Sequence, residues 1–313
     1  MDRKIYVVIV TYNRLEKLKK ALESYAKQEF QPSDIIIINN CSTDGTTEYL
    51  NNWKNDSSSP SNKHVYHMER NLGGAGGFRI GIQKALSMNP DWIWISDDDA
   101  YPQPDALRIV NDNIDKKEFS NAVCFCGTVC DKRLDKIDVW HRRYNKKRGI
   151  LIPQLVSENE YKLNHKIIEE TSFVGSCYKS SALRKAGLPN DNLFIYFDDT
   201  EYSHRIGKYG QIILLPKIKV LHDTGAYSYS APDVISTWRE YYLVRNHVYT
   251  LKKYHWPTFI AYCIMKAIKV YREYRVHRSK DTLKMHLTGI KDGMKERLGV
   301  HPIYKPGYEI KKK

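Results

Sequence analysis

Four strand-like runs in the first hundred residues each end in a polar cluster, and nothing else constrains the fold as much. "KIYVVIV" runs into Thr11-Tyr12-Asn13 and "DIIII" into Asn39-Asn40. "HVYHME" runs into Arg70-Asn71 and "DWIWIS" into Asp97-Asp98-Asp99. A strand that is apolar along its whole length must be covered on both faces. Segments with helical spacing separate the runs. Leu15, Leu18, Ala21, Leu22 and Tyr25 recur on one helix face, and "GGFRIGIQKALSM" reads as another helix. "STDGTTEYLNNW" opens a further one, with Ser42 or Thr43 as the expected cap. This alternation predicts an α/β fold with a mostly parallel central sheet flanked by helices. In such sheets, ligands sit beyond the C-terminal strand ends. The four polar clusters therefore converge on the ligand edge.

The pattern is less regular beyond Ala122. "AVCFCGTVC" reads as a strand, and its Cys124, Cys126 and Cys130 as buried side chains in preference to a metal site. "FVGSCYKSSALRKAG" reads as a strand and a short helix ending at Gly187. "YFDDTEYSHRIGKYG" opens a helix behind an acidic pair, and "QIILLPKIKVLHD" carries two short strands. The stretch from Asn55 to Ser61 reads as a surface loop. After Trp238 the chain turns helical, aromatic and basic. The division expected is a catalytic domain over 1–238 and a basic helical region over 239–313.

From Glu240 onward there are 17 Lys+Arg against 6 Asp+Glu; the preceding residues have 33 against 30. A basic region can meet nucleic acid or an anionic membrane. No zinc finger or RNA-recognition signature is present, so nucleic acid is not the expected partner. Lys266, Lys269, Arg272, Arg275 and Arg278 recur every third residue, a slanting stripe on a helix. Such a helix rests on an anionic leaflet, packs on the catalytic domain or makes a homo-oligomer contact. "FIAYCIM" is too short to span a bilayer. The N-terminus goes directly into a strand, which predicts a cytoplasmic location, peripheral to the inner membrane face if the tail binds lipid.

Asp97 and Asp99 project to one side if extended, and two carboxylates there can grip Mn²⁺ or Mg²⁺. The alternative is an acidic turn before the next helix. The glycines of "RNLGGAGGFRIG" (73, 74, 76 and 77) let a ligand approach the backbone, or serve a tight loop. The stretch is neither a dinucleotide fingerprint nor a P-loop. Asp198 and Asp199 suit a helix start or a general base. His222 can complete a metal site or be structural.

The order of these motifs resembles the inverting nucleotide-sugar glycosyltransferases of family 2, with the GT-A fold. "VVIVTYNR", "IINNCSTDGT", "RNLGGAGGFRIGI", "WISDDDAYP", "FVGSCYKSSALRKAGL", "FIYFDDTEYSHRIGKYG" and "VLHDTGAY" carry the resemblance, over roughly residues 4–230. "NLGGAGGF" with the triple Asp is most similar to galactofuranosyltransferases, which use UDP-galactofuranose; rhamnosyltransferases share much of the pattern. The resemblance implies that Thr11, Tyr12 and Asn13 lie against the nucleotide. It implies that Arg70, Asn71 and Gly74 border the donor. Asn39 stands where many members have a uracil-reading Asp, and Cys41 where Gly is common. Asp97, Asp99 and His222 would hold the metal, with Asp98 near the sugar or ribose. Gly175 and Asp198 would edge the acceptor side, and Asp199 matches the family's catalytic base. The resemblance implies inversion in a single displacement, and a lipid-linked glycan acceptor would explain a cytoplasmic enzyme with this basic tail.

Overall fold

The computed structural model describes residues 3–56, 60–132, 136–144, 154–224, 237–277 and 279–309. Ser57 to Ser59 of the expected loop, Gly225 to Tyr227 of the last motif, and Arg278 lie outside them. The first half alternates as expected: β1 (Ile5–Thr11), α1 (Leu15–Ala26), β2 (Asp34–Asn39), α2 (Thr46–Asn55), β3 (Asn62–His67), α3 (Gly73–Ser87) and β4 (Trp92–Asp97). Then come β5 (Ala100–Pro102), α4 (Ala106–Ile114) and β6 (Ala122–Asp131). Short strands follow: β7 (Lys136–Ile137), β8 (Arg142–Tyr144), β9 (Gln154–Leu155), β10 (Lys166–Ile168) and β11 (Glu170–Thr171). The chain returns through β12 (Ser176–Lys179), α5 (Ser180–Ala186), α6 (Asp198–Ile206) and β13 (Gln211–His222). It closes with α7 (Arg239–Tyr254), α8 (Trp256–His277) and α9 (Lys280–Met294).

The main sheet has the order β10-β13-β6-β12-β4-β1-β2-β3. β1 pairs in parallel with β2 and β4, β2 with β3, and β6 with β13. β12 runs antiparallel between β4 and β6. The C-terminal ends of β1 to β4, β6 and β13 therefore share one edge, where β12 begins. A small separate sheet has the order β11-β8-β9.

The unbroken apolar runs have a direct cause. Ile5, Val7 and Ile9 face one core with Leu18 and Leu22 of α1 and Leu107 of α4. Tyr6, Val8 and Val10 face the other with Phe78 and Ile82 of α3 and Tyr202 of α6. Each such aliphatic side chain contributes about 1.5–3 kcal/mol by leaving water. α3 lies very close to β1. A Cβ at Gly77 would stand 2.5 Å from Val10, and one at Gly81 2.4 Å from Val8.

Three expectations need correction. The glycine-rich stretch is not a loop, because α3 already begins at Gly73. Neither Ser42 nor Thr43 caps α2. The cap position is Gly45, at φ +88° and without a side-chain cap; Asp44 just before it accepts at Oδ1 from Thr46 N at 3.3 Å and Thr46 Oγ1 at 2.6 Å. β13 is one strand, not two; its pairing with β6 shifts between Leu214 and Lys219, around Pro216, which has no N–H to donate. The shift presses Ile218 onto Gly127, where a Cβ would be 2.5 Å from it. The chain after Trp238 is helical, as expected, and its first helix packs on the preceding body. α7 buries Tyr241, Tyr242, Arg245 and Asn246, and Arg245 and Asn246 bond the segment before α6. The cysteine reading holds for Cys124 and Cys126, which are buried in β6, while Cys130 is half-buried. Among the described residues no helix is long and apolar enough to cross a membrane.

Candidate active site

Asp97 ends β4, and Asp98 and Asp99 form a turn into β5 instead of extending. The turn still brings Asp97 and Asp99 together with His222, at the end of β13. One ligand atom from each lies within 4.8 Å of the others, and His222 Nε2 is 3.2 Å from Asp99 Oδ1. Asp98 is occupied otherwise. Thr11 Oγ1 donates to its Oδ2 at 2.7 Å, and Arg14 Nη1 to its Oδ1 at 3.2 Å.

No basic residue adjoins the three aspartates in sequence, yet the fold supplies two. Arg14 Nη1 also donates to Asp99 Oδ2 at 2.8 Å, and Lys17 Nζ lies 3.5 Å from the same oxygen. Both come from the start of α1, which meets the aspartates because β1 and β4 are neighbours. Burial, then Asp99, pushes the Asp97 carboxyl up to about 7. Burial raises Asp98 to about 6 despite Arg14. Burial also opposes ionisation of Asp99, but His222, Arg14 and Lys17 outweigh it and hold the group at about 2. Burial works to lower His222, and its hydrogen bond and charge attraction to Asp99 raise it instead.

This donor set fits a divalent cation. Two carboxylates and an imidazole suit Mn²⁺. His222 Nδ1 is buried and meets no hydrogen-bond partner among the described residues. A second group, Asp138 and His141, shares His222, again with ligand atoms within 4.8 Å. The two imidazoles meet edge-on, with ring centroids 5.1 Å apart. Sequence reasoning missed Asp138 and His141; the three-residue spacing in "DVWH" was their one signal.

Asp198 and Asp199 form the first turn of α6. Asp199 Oδ1 accepts from Thr200 N at 2.6 Å and Thr200 Oγ1 at 3.2 Å. Arg143 Nη2 in turn donates to Thr200 Oγ1 at 2.7 Å. Burial, then Asp199 and Asp97, drives Asp198 well above the usual carboxylate range. Burial raises Asp199 too, against the pull of Arg143. The charge of Asp97 is thus among the causes acting on Asp198. A carboxylate raised in this way is the better proton acceptor.

The segment before this pair is strained. Phe194, Tyr196 and Phe197 have φ of +66°, +66° and +64°, where bulky side chains cost about 1–3 kcal/mol each. α7 holds them. Asn246 Nδ2 donates to the carbonyls of Leu193, Ile195 and Tyr196, each at 2.9 Å. Arg245 Nη2 donates to Leu193 O at 3.0 Å, and the Phe197 ring stacks on His247. Asn246→Ala should therefore displace the acidic pair, lowering kcat about 10- to 100-fold with little change in donor KM. Steady-state kinetics beside a thermal melt would check this. An unaltered kcat in a folded variant would remove α7 from the site.

The donor-side residues divide more finely than expected. Tyr12 is exposed. Asn13, at φ +52°, accepts from Thr43 N at 2.7 Å. Asn39 spends its amide hydrogens on Thr47 Oγ1 at 2.9 Å and His67 Nδ1 at 3.0 Å, so it builds the turn after β2. Cys41 adopts φ +66°, the conformation a glycine there would favour. Asn71 Oδ1 accepts from Gly73 N at 2.8 Å and Asn40 Nδ2 at 3.1 Å, tying that turn to α3. Arg70 is exposed.

Of the four clustered glycines, Gly74 alone has nothing within 4 Å of a Cβ. At Gly73, Gly76 and Gly77 the close neighbours are Phe194 O, Leu72 and Val10. Gly175, at φ +65°, enters β12 at the same edge, where a Cβ would stand 2.6 Å from Val220. Packing alone demands a glycine there. From β4 to β2 the edge spans roughly 10 Å, two strand spacings.

A family model, glycosyl transferase family 2, matches residues 6–179. The chain belongs to that family. This family 2 glycosyltransferase is 28% identical over 214 residues to galactofuranosyltransferase GlfT1 of Mycobacterium tuberculosis. That match covers 67% of this chain, which spans 66% of the relative's length. It is 26% identical over 266 residues to the dTDP-rhamnosyl transferase RfbF of Shigella flexneri, covering 83% of this chain and 84% of the other. Among solved structures, GalNAc-T7 with UDP, GalNAc and Mn²⁺ superposes with a TM-score of 0.64 at 16% identity, covering 94% of this chain and 56% of that one. S. aureus TarS 1–349 with UDP-GlcNAc superposes at 0.54 and 15%, covering 93% and 81%. These likenesses establish the GT-A fold.

Proposed function

We propose that this family 2 glycosyltransferase moves galactofuranose from UDP-galactofuranose to a hydroxyl of a lipid-linked glycan, with inversion. The observation that carries the reading is the meeting of Asp97, Asp99 and His222 at the ligand edge of the sheet, with the acidic pair Asp198 and Asp199 opening α6 and Asp198 feeling the charge of Asp97. The protein named GlfT1 supports galactofuranose as the sugar. In the reaction, the acceptor oxygen bonds to the anomeric carbon as the bond from that carbon to the diphosphate breaks. Asp199 takes the acceptor's proton, and UDP leaves. Thr11, Tyr12, Asn13, Arg70, Asn71 and Gly74 border the donor; Gly175 and Asp198 stand on the acceptor side. Arg14 and Lys17 hold Asp98 and Asp99 in place. Asp97, Asp99 and His222 would hold Mn²⁺, or less favourably Mg²⁺. Such a cation, when bound, neutralises charge on the departing diphosphate.

The likeness to RfbF spans more of the chain and supports a second reading, a nucleotide-rhamnose donor. Nucleotide release from UDP-galactofuranose, UDP-galactopyranose and dTDP-rhamnose, each with Mn²⁺, separates the two. Turnover of UDP-galactofuranose well above the others is the expected result. Turnover of dTDP-rhamnose alone would transfer the assignment to the second reading.

A further inference from the structure

We propose that the outer face of α8 docks on an anionic lipid surface. Trp256, Ile260, Ile264, Ile268 and Tyr271 are 57%, 52%, 56%, 47% and 54% exposed. They are spaced four, four, four and three residues apart, so they share one side of the helix. The other side is anchored. Phe259 packs with Val244, Val248 and Leu251 of α7 and Ile290 of α9.

Charge selects the occupant. Lys269, Arg272 and Arg275 are exposed on the same helix. Their three-residue spacing winds them from the flank into the apolar face. Glu273 is the one acidic residue between Trp256 and His277, and its Oε1 lies 3.8 Å from Lys269 Nζ. An apolar face with a basic rim matches an interfacial helix, whose long basic side chains reach headgroups while the stripe enters the acyl boundary. A second copy of this chain would bring like charges together. A nucleic acid would leave five large apolar side chains in water. This inference does not depend on which sugar the enzyme moves.

The test is co-flotation of the full chain with vesicles, either phosphatidylcholine alone or an equal mixture with phosphatidylglycerol. The chain should float with the mixture and not with phosphatidylcholine. Binding should fail at about 1 M salt, where the Debye length is about 3 Å. Ile264→Glu with Ile268→Glu, and separately Arg272→Glu with Arg275→Glu, should each lower the bound fraction at least about tenfold. Circular dichroism, melting and UDP-sugar hydrolysis should stay unchanged. Equal flotation of parent and variants would overturn the proposal. So would a dimer by sedimentation velocity that Ile264→Glu dissolves, without vesicle binding. RNA binding that outcompetes vesicles and ignores Ile264→Glu would overturn it as well.

Discussion

Asp199→Asn should lower transfer by about 10²- to 10⁴-fold, the usual contribution of a positioned general base, while UDP binds as before. Asn has nearly the shape of Asp, and its carbonyl can still accept from Thr200 N and Oγ1, the contacts made by Asp199 Oδ1. What the variant loses is a group able to take the acceptor's proton. Product formation with a glycan acceptor and titration of UDP binding separate the two effects. Transfer within about tenfold of the parent would eliminate Asp199 as the base. Asp198→Asn serves as the contrast. Asp198 is buried and already pushed well above the usual range, so a neutral side chain there costs the fold little.

The second large effect concerns the triad. Chelation should abolish transfer, and Mn²⁺ should restore it more fully than Mg²⁺. His222→Ala should weaken Mn²⁺ binding about 10- to 100-fold or more, the loss of a whole ligand exceeding that of an outer-shell partner. pH adds an independent check. Burial and Asp99 hold Asp97 protonated up to about 7, so a proton competes with the cation. Mn²⁺ affinity should weaken as pH falls through 7 and level off above it. Calorimetric titration at several pH values reads both results. Full activity after exhaustive chelation, or affinity indifferent to pH across that range, would contradict the metal assignment.

β1, β2 and β4 were legible because each must be apolar on both faces, and the chain writes this as unbroken runs; β3, at the sheet edge, is only half-buried and more polar. The ligand edge was legible for a related reason: polar residues have no place in those runs, so they mark where the strands stop. Asp97, Asp99 and His222 were joined through the order of the motifs, since no local pattern links β4 to β13. Arg14 and Lys17 were not legible as partners of the aspartates. Arg14 meets Asp98 across 84 residues of chain, and nothing near the aspartates announces it. The glycines were legible as close approaches, but not what approaches: a carbonyl, a leucine and a valine rather than a ligand. The clamp by Arg245 and Asn246 was hidden because a buried Arg in a basic region looks like every other Arg there.

That clamp also has a consequence in time. Chains emerge from the ribosome N-terminus first, so the sheet and both carboxylate clusters leave before α7. Arg245 Nη1 in turn donates to Gly299 O at 2.5 Å, and Tyr241 packs on Tyr304. A nascent chain halted before Gly299 would contain each described strand, the acidic residues of the site and α7 itself, yet lack the carbonyl that braces Arg245. The brace on the clamp is therefore completed only after α9 has been made.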